Sequence, residues 1–243
     1  MLRRCSSPVR HSDQVFEARF LSRPNRFLAT LELDGAEIEA FVPNPGRMHE
    51  LMIPGKSMYV RLNPGDHRRT DYDLIGLHHD GILISLDSNL PNRFMREMLV
   101  NHSLPFFSGY DDVQSEPRMY DGRFDFRLSG ANGVQLIEVK SCTLVEDGKA
   151  SFPDAPTERG ARHLRGLMRA LSEGVASRAA VVFVIQRPDA TVFSPNDATD
   201  PVFGTTLREA YRAGVDVIPL ITMVNEWHLD YVRRIALDLT VTH

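Results

Sequence analysis

The sequence has 243 residues, of which 42% are apolar and 25% are charged, and this composition is typical of a globular protein with one or two domains. Its 28 Lys and Arg residues are outnumbered by 32 Asp and Glu residues, so the net charge of −4 gives no global attraction to nucleic acid. No apolar run reaches the roughly 18 residues that a membrane-spanning helix requires, which argues against a helical membrane protein.

The first twelve residues predict a disordered arm, because they contain arginines and serines but no following apolar segment. The lack of an apolar segment also argues against a secretory signal. With only Cys5 and Cys142 present, a structural disulfide is not expected. We therefore expect a cytoplasmic protein that does not associate with membranes.

Residues 13–87 predict a small barrel of short antiparallel strands. Five or six segments alternate partly between apolar and polar residues, and turn signals such as Asp34-Gly35 separate them. Because no helix of length interrupts them, we expect a five-stranded barrel of the oligonucleotide/oligosaccharide-binding (OB) type, with a small sandwich as the alternative. The segments are VFEARFL, RFLATLEL, AEIEAFV, SMYVRL, DYDLIGL and GILISLD.

Five arginines of this predicted barrel fall at strand ends and turns, where they could contact the phosphates of a nucleic acid. Phe20, Phe27 or Tyr59 could offer faces on which bases stack. Alternatively, the arginines decorate an ordinary barrel surface and the aromatic residues fill its core. The five arginines are Arg19, Arg23, Arg26, Arg47 and Arg61.

The segment PNPGR, residues 43–47, is a more specific signal than the other arginine positions. Its two prolines fix the backbone and Gly46 permits an unusual φ, so Arg47 would be held in a rigid loop. Rigid presentation of a guanidinium suits bidentate recognition of a phosphate. A structural corner with a solvent-facing arginine is the alternative.

Residues 88–243 predict a second domain with the element order α-β-β-β-α-β-α-β, which indicates a mixed sheet flanked by helices. The first helix is expected over about 91–101, and a two-stranded hairpin follows with its turn at Tyr120-Asp121-Gly122. The run at 178–186 is continuously apolar, as in a central strand buried on both faces. The remaining elements are the strand GVQLIEVKSCTLV, a helix at 157–173, a Pro/Asp loop, a helix at about 204–213, the strand VDVIPLITM and a final strand in VRRIALDLTV.

Two carboxylates and a lysine stand in otherwise apolar strands of this second domain, where an unpaired charge is costly to bury. Glu138 and Lys140 share one face of a strand because they are two residues apart, and hairpin pairing can bring Asp125 beside them. Mg²⁺ or Mn²⁺ could bridge the two carboxylates, with the carbonyl of Val139 as a further ligand, while Lys140 orients a water or stabilises charge on a phosphate. A cross-strand ion pair is the plainer alternative.

Four further polar residues could converge on this predicted site as accessory groups. Arg159 and His163 are one turn apart on the predicted helix, Gln186 ends the buried strand, and Glu116 could be an additional metal ligand. Alternatively, Arg159 and His163 are solvated helix residues and Gln186 is a hydrogen-bonding residue at the end of a strand.

The ordered motifs of the chain resemble the sugar fermentation stimulation protein A family from about residue 13 to the end. The most specific of them is FPDAPTERGARHL at 152–164. The others are NRFLA (25–29), VPNPGRM (42–48), TDYDL (70–74), LPNR (90–93), RFDF (123–126), EVKSCTLV (138–145) and VIQRPDA (184–190). The resemblance implies a mixed α+β or α/β protein, with an N-terminal OB-like five-stranded β-barrel and a restriction-endonuclease-like mixed β-sheet flanked by helices.

The same resemblance implies the PD-(D/E)xK nuclease pattern, with its motif aspartate at Asp125, its E-x-K at Glu138 and Lys140, and its leading acid at Glu116. It also implies a DNA partner and a role in regulating sugar metabolism. We expect the DNA to be bound as a single strand or without sequence preference. We therefore expect a Mg²⁺-dependent phosphodiesterase acting on DNA. The alternatives are a non-catalytic DNA-binding transcriptional regulator or a small-ligand-binding protein, because a fold does not fix a function.

Overall fold

The computed structural model describes residues 14–120 and 122–241, so the predicted disordered arm at 1–12 lies outside the described residues. The chain divides into two units, with the division between Asp87 and Ser88. Within the described ranges, no helix has the length and apolarity needed to cross a membrane.

The first unit is a barrel of five strands with a sixth strand beside it. The strand order is β3-β2-β1-β4-β5-β6, and β3 also pairs in parallel with β5 through Ala40 and Tyr72, which closes the ring. The prediction of an OB-like five-stranded barrel is therefore confirmed, and the alternative of a sandwich is wrong. The strands are β1 (Val15–Asn25), β2 (Leu28–Leu33), β3 (Ala36–Phe41), β4 (Ser57–Leu62), β5 (Tyr72–His79) and β6 (Ile82–Ser85).

Apolar side chains that alternate along these strands fill the barrel. Phe20, Leu31 and Met58 are almost fully buried, and they pack in one cluster with residues of every other strand. Phe20 thus belongs to the core, as the alternative interpretation of the aromatic residues expects, whereas Phe27 remains exposed on the surface. Tyr59 is half-buried on β4, where its ring meets the ring of His78 edge to face.

The second unit is a mixed sheet with helices, as the sequence predicts. The sheet order is β17-β16-β14-β11-β10-β7; β11, β14 and β16 are parallel, and the outer pairings are antiparallel. The main elements are α1 (Leu90–Val100), β7 (Asp112–Ser115), β8 (Arg118–Met119), β9 (Gly122–Arg123), β10 (Phe126–Gly130), β11 (Gly133–Cys142), β12 (Val145–Glu146), β13 (Lys149–Phe152), α2 (Glu158–Ser172), β14 (Arg178–Ile185), β15 (Val192–Pro195), α3 (Pro201–Arg212), β16 (Asp216–Asn225), β17 (His228–Arg234) and β18 (Ala236–Leu237).

Three parts of this unit differ from the sequence-based prediction. The expected two-stranded hairpin consists of four short strands, because the chain turns at Glu116 (φ 51°) and β8–β9 then form a hairpin of their own while β7 and β10 join the main sheet. The expected Pro/Asp loop contains β15, which pairs in parallel with β13 in a second sheet, β12-β13-β15-β18. The helix predicted at about 204 begins earlier, at Pro201.

Candidate active site

Asp125 and Glu138 come together where β10 begins beside β11. The register pairs Phe126 with Ile137, so the preceding residue, Asp125, lies opposite Glu138. The backbone N–H of Asp125 donates to the carbonyl of Ile137 at 3.2 Å, and the Asp125 Oδ2 accepts from the backbone N–H of Val139 at 2.7 Å. The Asp125 carboxylate is therefore folded back onto β11, beside the face that carries Glu138.

Asn92 of helix α1 fixes the other oxygen of this carboxylate. Its Nδ2 donates to Asp125 Oδ1 at 2.6 Å. Sequence reasoning assigned Asn92 no role, although the residue lies within the LPNR segment. No local spacing could have found it, because the contact joins residues 33 positions apart.

Glu138 is 2% exposed, and only one of its two carboxylate oxygens is hydrogen-bonded to described residues. Its Oε1 accepts from both Lys140 Nζ and His163 Nδ1. Its Oε2 is also buried, yet it has no hydrogen-bond partner in the described part of the chain. Since buried polar atoms are nearly always paired, this carboxylate oxygen requires a partner that residues 14–120 and 122–241 do not supply.

The pKa values of the two carboxylates are shifted in opposite directions. Burial raises the pKa of Asp125 above its ordinary value of 3.8, and the nearby charge of Glu138 raises it further, against the opposing effects of Val139 N–H, Lys140 and Asn92. Burial also opposes ionisation of Glu138, but Lys140 and His163 outweigh it and hold the Glu138 pKa below its ordinary value. Neighbouring groups thus favour the ionised form of Glu138, whereas burial and the charge of Glu138 disfavour the ionised form of Asp125.

Arg159 and His163 of helix α2 form a short series of hydrogen bonds that ends at Glu138. Arg159 Nε donates to His163 Nε2 at 3.4 Å, and His163 Nδ1 is hydrogen-bonded to the Glu138 carboxylate. Thr157 caps α2 by accepting from Gly160 N–H at 3.0 Å. His163 is buried and contacts Glu138, contrary to the interpretation of this residue as solvated.

A cavity of about 350 Å³ lies over this part of the molecule. Asp125 and His163 line it together with three arginines, Arg123, Arg159 and Arg162. Glu116 also lines it, but this residue is exposed and its carboxylate is bonded to Arg123 at 3.0 Å. The cavity therefore combines a carboxylate with guanidinium groups of the kind that recognise phosphates.

Gln186 is the one predicted accessory residue that does not line this cavity. It is fully buried after β14, and its Nε2 donates to Ser141 Oγ at 3.3 Å. Its backbone N–H donates to the carbonyl of Cys142. These two hydrogen bonds join the ends of β14 and β11.

The donor set fits a hard cation that retains most of its water. Within residues 14–120 and 122–241, no cluster of three or more His, Cys, Asp or Glu side chains could enclose a metal by itself. Mg²⁺ needs only one or two carboxylates together with waters and substrate oxygens. Asp125 and the unpaired Oε2 of Glu138 satisfy that smaller requirement.

The barrel arginines predicted to contact nucleic acid differ in their surroundings. Arg19 forms an exposed ion pair with Glu32 at 2.6 Å. Arg47 is exposed in its loop, and Arg61 is half-buried on β4. Arg26 is exposed, with its guanidinium 4.8 Å from the centre of the Phe27 ring.

The Arg23 guanidinium is hydrogen-bonded within the barrel unit. Its two terminal nitrogens donate to four backbone carbonyls at 2.7–2.9 Å, which ties the turn after β1 to the PNPGR loop. The four carbonyls belong to Arg26, Asn44, Gly46 and Arg47.

Comparisons with known proteins agree with both units. Residues 21–86 match the family model described as the SfsA N-terminal OB domain, and residues 89–228 match the sugar fermentation stimulation protein RE domain. A sugar fermentation stimulation protein homolog of Moorella thermoacetica is 48% identical over 206 residues, which is 84% of this chain and 88% of that protein. A homolog of Desulforamulus reducens is 45% identical over 207 residues, which is 85% of each.

A solved structure of SfsA from Pyrococcus furiosus in complex with Ca²⁺ is also similar to this chain. It is 29% identical, with a TM-score of 0.83, and the match covers 96% of this chain and 100% of that one. The predicted resemblance and the predicted fold, an OB-like barrel followed by a restriction-endonuclease-like sheet, are therefore confirmed.

Proposed function

Because this chain belongs to the sugar fermentation stimulation protein family, we propose that it is a divalent-cation-dependent phosphodiesterase acting on DNA. The observation that carries the proposal is the convergence of Asp125, Glu138 and Lys140, in which one buried oxygen of Glu138 is left without a partner. A structural ion pair would use Lys140 to satisfy Glu138, but it would not explain an unpaired buried oxygen next to a second carboxylate.

The cation would be held by Asp125, Glu138 and the carbonyl of Val139, and we propose Mg²⁺ or Mn²⁺. The relative from Pyrococcus furiosus is in complex with Ca²⁺, a cation that also takes oxygen ligands. When bound, the cation would lower the pKa of a water and withdraw charge from the scissile phosphate. It would also offset the burial and the nearby charge of Glu138, which together raise the pKa of Asp125.

The side chains around the carboxylates have separable roles in this proposal. Lys140 and His163 both bond Oε1 of Glu138, which reserves Oε2 for the cation. The Lys140 ammonium would stabilise charge that develops on the phosphate. The arginines that line the cavity, Arg123, Arg159 and Arg162, would bind the phosphates of the strand on either side of the bond to be cleaved.

The proposal is tested by cleavage assays on single-stranded, duplex and branched DNA with Mg²⁺, Mn²⁺ or EDTA. We expect cleavage of at least one substrate with either metal, and Lys140→Ala should lower its rate by about 10²- to 10³-fold while leaving binding intact. Lys149→Ala is the matched control, because Lys149 is an exposed lysine on β13 of the same unit. Metal-independent binding without cleavage of any substrate would overturn the proposal and favour a non-catalytic regulator.

A further inference from the structure

Two phenylalanine rings lie side by side on the surface of the barrel. Phe27 and Phe41 are 41% and 38% exposed, although the core of the same unit is filled by other apolar residues. Their ring centres are 6.3 Å apart and their planes differ by 16°. The pair is held by the strands, since Leu28 pairs with Phe41 and the N–H of Val42 donates to the carbonyl of Phe27 at 2.9 Å.

Arginines border this aromatic pair on two sides. The guanidinium of Arg26 lies 4.8 Å from the Phe27 ring centre, and that of Arg68 lies 6.0 Å from the Phe41 ring centre. Phe27, Phe41, Arg68 and Arg69 line one cavity of about 270 Å³. Arg68 is bonded to Asp73, whereas Arg26 and Arg69 have no acidic partner within the described chain. The surface thus joins exposed aromatic faces to uncompensated positive charge.

The aromatic pair is also preorganised. The Arg23 guanidinium donates to the carbonyl of Arg26, directly before Phe27, and to three carbonyls of the loop that follows Phe41. The backbone before Phe27 and the loop after Phe41 are therefore connected through the side chain of Arg23. A surface that is already ordered loses less conformational entropy when it binds a ligand.

We propose that the Phe27–Phe41 pair is a base-stacking platform for single-stranded DNA, with Arg26 and Arg69 contacting its phosphates. Arg26 and Phe27 lie in the β1–β2 connection, and Arg68 and Arg69 lie in the β4–β5 connection, which are the connections that OB barrels use to bind oligonucleotides. Exposed aromatic rings stack on the faces of bases, and these faces are accessible in a single strand but hidden in a duplex. The inference rests on the proposed function and adds the form of DNA that the barrel holds.

The test is fluorescence anisotropy of a labelled oligothymidine of about 15 nucleotides with the full chain in EDTA, beside a duplex of the same length. The double variant Phe27→Leu/Phe41→Leu keeps apolar side chains but removes the aromatic faces, and we expect it to bind the single strand about 10-fold or more weakly. Phe27→Trp should retain wild-type affinity because it keeps an aromatic face. Ile53→Ala, an exposed apolar position outside the cavity, is the matched control and should bind as the wild type does.

The arginine contacts are tested by salt dependence of the same binding. Arg69→Ala should reduce the slope of log affinity against log salt by about 0.7, the value for one phosphate contact on a single strand. Unchanged single-strand affinity in the leucine double variant, with an unaltered circular dichroism melt, would overturn the platform. Tighter binding of the duplex than of the single strand would overturn it as well.

These outcomes are separate from those of the phosphodiesterase proposal. If no substrate is cleaved but the leucine double variant loses single-strand affinity, the platform stands and the catalytic proposal fails. If DNA is cleaved with metal while the leucine variant binds normally, the catalytic proposal stands and the platform fails.

Discussion

Asp125 is the carboxylate of the candidate site whose pKa is raised by its surroundings. Its pKa is raised, first by burial and then by Glu138, so its proton persists to a higher pH than that of an exposed aspartate. A cation must displace that proton, and Mn²⁺ affinity should therefore fall as the pH is lowered, beginning above the ordinary pKa of 3.8. Calorimetric titrations with Mn²⁺ between pH 8 and pH 5 measure this dependence. A constant affinity over that range would contradict it.

Asn92 is expected to position Asp125 without touching the cation. Asn92→Ala removes the hydrogen bond to Asp125 Oδ1, so the carboxylate loses one of the two contacts that orient it. Because residues that orient a metal ligand typically contribute 10- to 100-fold to affinity, we expect Mn²⁺ to bind about 10-fold more weakly. The control is Asn101→Ala, at the exposed end of the same helix. Wild-type affinity in Asn92→Ala, measured by calorimetry, would show that Asn92 has no positioning role.

The sequence predicts the parts of the site that follow from strand geometry. Glu138 and Lys140 share a face because side chains in a strand repeat every two residues, and their side chains do meet. Asn92 could not be predicted, since a helix distant in sequence delivers it. The contact from His163 to Glu138 depends on how α2 packs on the sheet, and periodicity along one element carries no information about packing between elements.

Asp200 links the first turns of two helices. Its Oδ1 accepts from Phe203 N–H at 2.9 Å as the cap of α3, and its Oδ2 accepts from Thr157 N–H at 2.7 Å at the start of α2. Asp200→Ala would leave two backbone donors unpaired, and each cap or buried donor contributes about 1 kcal/mol or more. We expect the second unit to lose about 2–3 kcal/mol of stability, and Asp200→Asn to lose less because it keeps one acceptor oxygen.

The stability of this unit can be followed on its own, because Trp227 is the single tryptophan of the chain and lies between β16 and β17. Urea unfolding monitored by Trp227 fluorescence gives the midpoint for each variant. Glu209→Ala, at an exposed position of α3, should leave the midpoint unchanged. An equal midpoint for Asp200→Ala and wild type would show that the two caps are energetically independent of Asp200.

The elements that the sequence predicts poorly are the short ones. β15 has four residues and pairs in parallel with β13, which lies about 40 residues earlier, so neither its length nor its neighbours give a periodic signal. The start of α3 did have a local signal, because Asp200 followed by Pro201 is a capping residue with proline at the first helical position. The long elements, such as α2 and β14, were predicted within a few residues. Their patterns of apolar residues extend over several turns of a helix or several pleats of a strand.

At the scale of the whole chain, net charge is a poor guide to the two surfaces proposed to meet DNA. The chain is acidic overall, yet three arginines line the cavity beside Asp125 and two line the cavity beside Phe27. Total charge averages over surfaces that a bound strand never approaches, whereas phosphate binding depends on charges within a Debye length of about 10 Å. Local clusters on the folded units therefore carry the electrostatic argument.

Each of the two units should fold when it is produced alone as residues 14–87 or 88–241. The pairing of β3 with β5 closes the barrel, and the core that includes Phe20, Leu31 and Met58 is built from strands of that unit alone. The second unit has its own core on both faces of β14, and the chain passes between the units once, after Asp87. We expect a cooperative thermal transition by circular dichroism for each fragment, at a lower temperature for the barrel because a smaller domain buries less of its surface. A barrel fragment without a transition would show that this unit requires the remainder of the chain to fold.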